Sequence, residues 1–458
     1  MTDISATAPS PSQKPAPARP PANPVSPFRA WWAIFIFTIA LMFNFLDRQL
    51  LTLLITPIKA DLNLTDTQIS ILVGFMFVLF YISVGIPISR LVDRGPRKWI
   101  IGAGIAFWSL MTAACGLAQN FWQLALARMG VGIGESCNGP ATYSMTADMF
   151  PRDKLARPIS IINIGMVMGS GMALLVGGYL IVWLTELGPQ TFPVIGTLKP
   201  WQMTFVIVGL PGILWALLMV LTVPEPPRKD EGTGAVTPSF GKVLSFFGFW
   251  GAAYFPMFFA AGVKSMLSFG NAVWSPAFFE RSFGYAPGEP GPILGAIGLI
   301  VAPLGLIIGG QAATWLASKG QDDANMRIVL WVSIALVPLA IIYPLAPAAW
   351  MAFALYGALL FLGSLGAGPA NAAMQVITPG RMRGTVSALY IAIFNVMGYG
   401  AGPLVVALMT DNVFKNEAML GASMAAAAAI LGPVGLFLSW KALKPYARAV
   451  AAARERDD

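Results

Sequence analysis

The chain carries the sequence GIPISRLVDR at residues 85–94 and a degenerate copy of it, GQAATWLASK, at residues 310–319. Each copy closes a long apolar run, and small residues, a leucine and a final basic residue recur in register. A second repeated triplet, Gly-Pro-Ala, begins at Gly139 and again at Gly368. The two offsets are close to half of the 458-residue length, so they predict two similar halves rather than a short-period solenoid.

The composition indicates a membrane protein with many spanning helices. Apolar residues make up 56% of the chain and charged residues only 11%, whereas soluble proteins carry about 25% charged residues. Runs that reach the roughly 20 residues needed to cross the hydrocarbon core occur twelve times. They lie near 31–58, 66–89, 98–119, 121–149, 158–185, 201–223, 249–279, 290–317, 327–346, 349–377, 385–410 and 418–440.

The predicted fold is therefore an all-α membrane protein with twelve transmembrane helices in two six-helix bundles. Two similar apolar halves favour a secondary transporter as the class of protein. The expected domains are a disordered cytoplasmic tail, an N-terminal bundle, a cytoplasmic linker, a C-terminal bundle and a second cytoplasmic tail. Their ranges are 1–28, 29–223, 224–248, 249–440 and 441–458.

The basic residues predict the orientation in the membrane. If both ends are cytoplasmic, 22 of the 29 lysines and arginines lie on the cytoplasmic side, and only Lys59, Lys199, Arg281 and Lys415 lie outside. The net charge of +8 is thus a topology signal, and nucleic acid is excluded as a partner. Residues 1–28 are rich in proline and lack an apolar core, so they are not a signal peptide.

The available chemistry argues against an enzyme and against a bound cofactor. The chain has no histidine, and its two cysteines, Cys115 and Cys137, both lie within predicted spans. No nucleotide-binding glycine loop, metal-ligand cluster or nucleophile elbow is present. Active transport would therefore use an ion gradient. A membrane-embedded lipid-modifying enzyme is the alternative from another class, and it would need a nucleophile or metal site that the sequence lacks.

Five charged residues lie well inside the predicted spans: Asp47, Arg48, Arg128, Glu135 and Lys264. A charge at the centre of a membrane costs at least about 2.5–3.5 kcal/mol on insertion scales, so such residues usually face a cavity. All five belong to spans 1, 4 and 7, each the first helix of a three-helix repeat unit. The sequence therefore predicts a charged central cavity.

The depths of these charges predict how they pair. At about 1.5 Å per residue, Asp47 lies about 24 Å along the outward-running span 1, and Arg128 lies about 10 Å along the inward-running span 4. They are therefore expected at similar depth, and we predict that they form an ion pair. Glu135 is two helical turns beyond Arg128 on the same face. Arg48 either faces the cavity or points away from it to serve packing.

The first signature copy resembles the best-known motif of the major facilitator superfamily, Gly-x3-Asp-Arg-x-Gly-Arg-Arg/Lys between spans 2 and 3. Ser89 and Pro96 replace the two glycines, whereas Asp93-Arg94 and Arg97-Lys98 match. The resemblance implies a central cavity lined by spans 1, 4, 7 and 10. It also implies that Asp93, Arg94 and Arg97 form a latch against the start of span 11, near Gly384-Thr385. A solvated turn is the alternative interpretation of Asp93.

The strings Asn44-Phe-Leu-Asp47-Arg48 and Gly132-x-Gly134-Glu135-Ser136 resemble the spinster branch of that superfamily, here in a bacterial inner membrane. The resemblance implies a lysophospholipid or sphingolipid as substrate, with Asp47 and Glu135 in proton coupling. The net charge of the five buried residues also suits an anionic headgroup held by Arg48, Arg128 and Lys264. Phe43, Trp274 and Tyr390 are candidate tail contacts.

A carrier of small organic anions or drugs with the same fold and the same charges is the nearest alternative function. The expected partners are the lipid-like solute, protons and membrane lipids, and a monomer is the expected state because the fold does not require association.

The topology can be tested by labelling introduced cysteines with a membrane-impermeant reagent. We expect cysteines at Asp230 and Lys319 to react only from the cytoplasmic side, and a cysteine at Lys415 to react only from outside. A reversal at any of the three positions contradicts the twelve-span arrangement with both ends inside.

Overall fold

A computed structural model describes residues 25–151, 154–193, 195–228, 240–379 and 382–457. The helices of the N-terminal half are α1 (Pro27–Leu53), α2 (Ile55–Leu62), α3 (Asp66–Ser70), α4 (Met76–Arg94), α5 (Arg97–Cys115), α6 (Phe121–Glu135), α7 (Asn138–Met149), α8 (Ala156–Leu187) and α9 (Pro200–Thr222). Those of the C-terminal half are α10 (Phe240–Phe283), α11 (Pro290–Ser318), α12 (Ala324–Ile342), α13 (Ala349–Leu365), α14 (Ala367–Ile377), α15 (Arg383–Asn395), α16 (Gly402–Leu408) and α17 (Leu420–Asp457). A hairpin of β1 (Gln190–Phe192) and β2 (Gly196–Leu198) joins α8 to α9.

The twelve predicted runs all fold as helix. Within the described ranges, ten stretches are long and apolar enough to cross a membrane. The other two predicted runs are 121–149, which folds as α6 and α7, and 249–279, which lies within α10. The fold is therefore the predicted all-α membrane protein.

Two equivalent helices are broken, and the Gly-Pro-Ala repeat explains the breaks. Span 4 is divided between α6 and α7 just before Pro140, and span 10 is divided between α13 and α14 just before Pro369. Proline has no N–H, so neither residue can complete the helical hydrogen bond to the carbonyl four residues earlier. The repeat found in the sequence thus places a discontinuity at the same point of each half.

The structure differs from the predicted boundaries at the ends of the C-terminal bundle. The last helix continues through Trp440 to Asp457 instead of leaving the bundle as a tail, because Ala442, Tyr446 and Val450 are buried against the other C-terminal helices. Helix α10 begins at Phe240, inside the predicted linker 224–248. Most of the predicted N-terminal tail (1–24) and the centre of the linker (229–239) lie outside the described residues.

Both ends of the described chain lie on one face, called here the terminal face, because the spans alternate in direction. The opposite face, called the distal face, carries the connections near residues 54–65, 116–120, 188–199, 284–289, 343–348 and 415–419. The apolar part of α10 ends at Phe279, so its last turn lies in the charged layer of the distal face.

The two halves pack together on the distal side and separate on the terminal side. One buried apolar cluster contains residues of both halves, among them Leu53, Leu174 and Leu294. Toward the terminal face each half has its own cluster, with Ile101 in one and Met326 in the other. The molecule is therefore closed distally, with a space between the halves that opens toward the terminal face.

Glycines bring the helix backbones of the two halves into contact. A Cβ atom added to Gly295 of α11 would lie 2.6 Å from the carbonyl oxygen of Gly171 on α8. On the other side of the molecule, the π-helical turns Ile71–Phe75 and Val396–Ala401 face each other. There a Cβ added to Gly74 would lie 1.9 Å from the Tyr399 carbonyl oxygen. At both contacts the two backbones are too close for any residue larger than glycine.

We expect Gly74→Ala to weaken the distal closure, because backbone atoms must move to admit the methyl group. The expected loss is about 1–3 kcal/mol in the free energy of unfolding, the usual cost of overpacking a tight contact. Thermal unfolding of the purified protein in detergent measures it. Gly310→Ala is the matched control, since a Cβ there meets nothing within 4 Å. Equal melting temperatures for the two variants contradict the proposed role of Gly74.

Candidate functional site

A cavity of about 610 Å³ lies between the two halves. Its walls come from α1, α4, the α6–α7 break, α8, α10, α12, the α13–α14 break and α15. Aromatic and methionine side chains form much of the surface, with amide groups between them. The aromatic residues are Phe45, Phe77, Tyr81, Tyr143, Phe269, Tyr390, Phe394 and Tyr399, and the asparagines are Asn44, Asn138, Asn163, Asn371 and Asn395.

Three charged residues line this cavity: Arg48, Glu135 and Lys264. Arg48 and Glu135 form an ion pair, in which Nη2 lies 2.7 Å and Nε 2.8 Å from the same carboxylate oxygen, Oε2. The Oε1 atom of Glu135 is buried without a hydrogen-bond partner among the described residues. The pair connects span 1 to span 4 at the α6–α7 break, and the possibility that Arg48 points away from the cavity is therefore wrong.

Aromatic rings complete the surroundings of Arg48. Its guanidinium carbon lies 4.5 Å from the centroid of Phe77 and 5.1 Å from that of Tyr81, one helical turn further along α4. Tyr399 of the C-terminal half lies 5.9 Å away. Cation–π contacts of this kind stabilise a partly desolvated arginine. They hold the guanidinium against the aromatic part of the cavity wall.

Lys264 lies on the opposite half. No described hydrogen bond or ion pair involves its ammonium group, and a Cβ added to Gly366 would lie 2.3 Å from Nζ. The ammonium therefore lies against the α13–α14 break, in the space that the missing side chain of Gly366 leaves. Since Arg48 and Glu135 compensate each other, the cavity lining carries a net charge of +1 with all groups ionised.

The predicted ion pair between Asp47 and Arg128 is wrong for this structure. The Asp47 carboxylate accepts a hydrogen bond of 3.1 Å from the Thr112 hydroxyl of α5. All three side-chain nitrogens of Arg128 are buried without a hydrogen-bond partner in the described part of the chain. Arg128 lies 5.7 Å from the Phe77 ring centroid instead. Neither Asp47 nor Arg128 lines the cavity, so both lie behind its wall, inside the N-terminal bundle.

Two of the three aromatic candidates also lie outside the cavity. Phe43 packs against Trp215 of α9, with ring centroids 6.0 Å apart. Trp274 is fully buried, and its indole N–H donates to the Pro403 carbonyl at 3.0 Å. In these contacts each residue packs within its own bundle. Tyr390 does line the cavity, as predicted for a substrate contact.

The predicted latch is not engaged in this structure. Asp93 and Arg94 are exposed, and so are Gly384 and Thr385, the expected partners of the aspartate. Arg97 is buried in a network of its own, in which it binds Asp148, Ser144 and Glu225. It ties α5 to α7 and to the segment after α9, within one half. A latch that closes the terminal face would be released in this structure, because the halves are apart on that side. The role of Asp93 stays a prediction.

Several cavity residues were missed because they are not charged. Phe77 and Tyr81 are four residues apart on α4, so both lie on one helix face. This spacing of two aromatic residues was the sequence pattern that could have indicated them. Tyr399 could not have been found in this way, since it enters the site through the π-helical turn Val396–Ala401.

Two similar helical halves around a charged central cavity are the architecture of a membrane transporter. The sequence profile described as Major Facilitator Superfamily matches residues 37–407. The chain therefore belongs to the major facilitator superfamily, and the similarities below relate it to the spinster proteins.

Three known proteins illustrate this relationship. The MFS-type efflux pump of Mycolicibacterium smegmatis is 30% identical over 92% of this chain and 94% of its own. Human protein spinster homolog 1 is 26% identical over 86% of this chain and 75% of its own. The crystal structure of a bacterial homolog of the human lysosomal transporter Spinster, inward-facing and unoccupied, matches with a TM-score of 0.77 and 26% identity, over 94% of this chain and 99% of that one.

The pairing of the buried charges can be tested by two double-mutant cycles on the free energy of unfolding in mixed micelles. We expect a coupling of about 1–3 kcal/mol between Arg48→Gln and Glu135→Gln, because the two groups are in contact. The cycle of Asp47→Asn with Arg128→Gln should give a smaller value, since no direct bond joins those residues. An equal or larger coupling in the second cycle contradicts the pairing described here.

Proposed function

We propose that this protein is a proton-coupled transporter of an amphipathic, anionic, lipid-like solute of the lysophospholipid or sphingoid type. In this proposal it lies in a bacterial inner membrane with its terminal face in the cytoplasm. The observation that carries the proposal is the uncompensated ammonium group of Lys264 in a cavity lined largely by aromatic and aliphatic side chains. A solute with one anionic end and an apolar body matches both features.

The headgroup would bind between the two halves. A phosphate or carboxylate near Lys264 would neutralise the net charge of +1, and the amides of Asn371 and Asn138 offer hydrogen bonds from either side of the cavity. Charge-assisted hydrogen bonds to an anion are about twice as strong as neutral ones, so Lys264 would supply much of the selectivity.

The apolar tail would lie toward the terminal face, where the halves are apart. Tyr143 and Met166 of the N-terminal half and Ile391 of α15 line the cavity, and these residues are 39%, 40% and 54% exposed. Apolar side chains that remain exposed in a gap between helices give a long tail a place to bind, whereas a small solute would leave them bare.

Proton coupling would act through the ion pair in the cavity wall. A proton on Glu135 removes the charge that holds Arg48, which frees the guanidinium for the substrate headgroup. The cavity would then carry a charge of +2, so protonation and anion binding would favour each other. Asp47 is the second proposed proton site, and this role rests on the resemblance to the spinster branch, as does that of Arg128 in substrate binding.

A carrier of small organic anions is the second candidate function. It is favoured by the similarity to a probable L-galactonate transporter of Escherichia coli, which is 24% identical over 72% of this chain. The same charges would bind a small carboxylate, but the aromatic and methionine-rich walls would then have no partner.

The proposal can be tested by reconstituting the protein into liposomes. We expect uptake of a labelled lysophospholipid that rises with an imposed pH gradient and is not inhibited by glycerol phosphate or galactonate. Lys264→Gln should weaken apparent affinity at least about ten-fold, the effect of losing one charge-assisted bond. Glu135→Gln and Asp47→Asn should instead flatten the dependence on the pH gradient while binding persists.

Lys319→Gln is the control for charge removal, because Lys319 is exposed on the terminal face and outside the cavity. Inhibition by galactonate together with no lysophospholipid uptake would support the small-anion carrier. Unchanged affinity in Lys264→Gln would contradict the proposed headgroup site for either solute.

A further inference from the structure

A layer of polar and charged residues seals the two halves together at the distal face. It is called the distal gate here, and it consists of Thr56, Lys59, Asp66 and Thr67 from the N-terminal half and Glu280, Arg281, Asp411 and Glu417 from the C-terminal half. Arg281 binds both oxygens of the buried Asp66, at 2.7 and 2.9 Å. Lys59 bonds the same aspartate and lies 2.8 Å from Glu417.

Glu280 is the buried carboxylate of the distal gate that has no cation in contact with it. The residue is only 9% exposed. One oxygen, Oε2, accepts a short hydrogen bond from the Thr56 hydroxyl of the opposite half, and the other, Oε1, is buried without a hydrogen-bond partner among the described residues. Asp66 on the same layer has a cation against each oxygen, whereas Glu280 has none in contact.

The charged groups around Glu280 do not compensate it. Arg281 follows it on α10, but its guanidinium is already committed to Asp66. Asp411 caps the backbone N–H of Thr67 at 2.7 Å, and Glu289, from the connection after α10, accepts from the Ala286 amide at 2.7 Å. Four carboxylates of the distal gate thus face only two cations, Lys59 and Arg281.

Burial is the dominant influence on this carboxyl group. Glu280 follows the predicted span 249–279, so it lies just beyond the expected membrane-spanning part of α10. Removal from water raises the pKa of Glu280 to about 7, although the Thr56 hydroxyl, the Gly288 backbone and Arg281 favour the charged form. A carboxyl group in water has a pKa near 4.3. Opening the distal side would expose Glu280 to water and restore that value.

We propose that Glu280 is a proton-binding site of the distal gate, occupied when the gate is closed and emptied toward the distal side when the gate opens. No other group moves a proton in this step: the O–H bond forms at a carboxylate oxygen on closing and breaks to water on opening. The proposal concerns the conformational equilibrium and does not depend on which solute is carried.

The sign of the pH effect follows from linkage. Below about pH 4.3 the carboxyl group is protonated in both conformations, so the closed gate has its full stability there. As pH rises toward 7, the open gate loses its proton first and becomes relatively more stable. Above about pH 7 both conformations are ionised and the preference for closure no longer changes.

The test is the distance across the distal face, measured between spin labels on cysteines introduced at Leu117 and Leu345, with Cys115 and Cys137 replaced by alanine. Both leucines are exposed, one in each half. We expect the ratio of short to long distances to fall at least about ten-fold between pH 5 and pH 8 in the parent protein. Glu280→Gln, which mimics the protonated acid, should keep short distances at every pH.

Glu186→Gln is the matched control, because Glu186 is an exposed carboxylate on the same face, outside the distal gate. It should retain the pH response of the parent protein.

Thr56→Val provides a second test if Glu280→Gln does not fold. Loss of the hydroxyl that favours the charged form should extend the pH-dependent range upward. A response in Glu280→Gln equal to that of the parent, or no response in the parent, overturns the proposal.

Discussion

The ion pair between Arg281 and Asp66 crosses the boundary between the two halves, and the shape of the molecule follows from where it lies. Both groups are at the distal ends of their spans, one at the start of α3 and the other in the last turn of α10. With the glycine contacts beside Gly74 and Gly295, it fixes the halves at one end. The cavity exists because the other end has no equivalent fastening in the described residues.

The cavity and the distal gate treat charge in different ways. In the cavity, Arg48 and Glu135 neutralise each other within one half, and the lone cation, Lys264, stands on the other. In the distal gate, cations and carboxylates meet across the boundary, so their attraction resists separation of the halves. In the functions proposed above, the first arrangement would bind an anionic solute, and the second would keep the distal side closed.

The sequence was sufficient to predict the architecture, because spans and repeats depend on composition along the chain. It also indicated that Glu135, Arg48 and Lys264 line a cavity. The sequence did not predict which buried charges pair. The depth of a residue follows from its position along the helix, but the direction in which its side chain points depends on how neighbouring helices pack. Asp47 therefore bonds Thr112, which no charge pattern could reveal. Glu280 was missed because it comes directly after the predicted span 249–279, where a charged residue is expected to be exposed to water.

The breaks at the Gly-Pro-Ala repeats have a mechanical consequence. An intact helix resists bending because its hydrogen-bond ladder must stretch on one side. At Pro140 and Pro369 one rung of that ladder is already missing, so a bend there sacrifices little. Spans 4 and 10 can therefore bend at these breaks, which lie at equivalent positions beside Glu135 and Gly366. Because the two bend points occupy equivalent places in the two halves, spans 4 and 10 can bend in the same way.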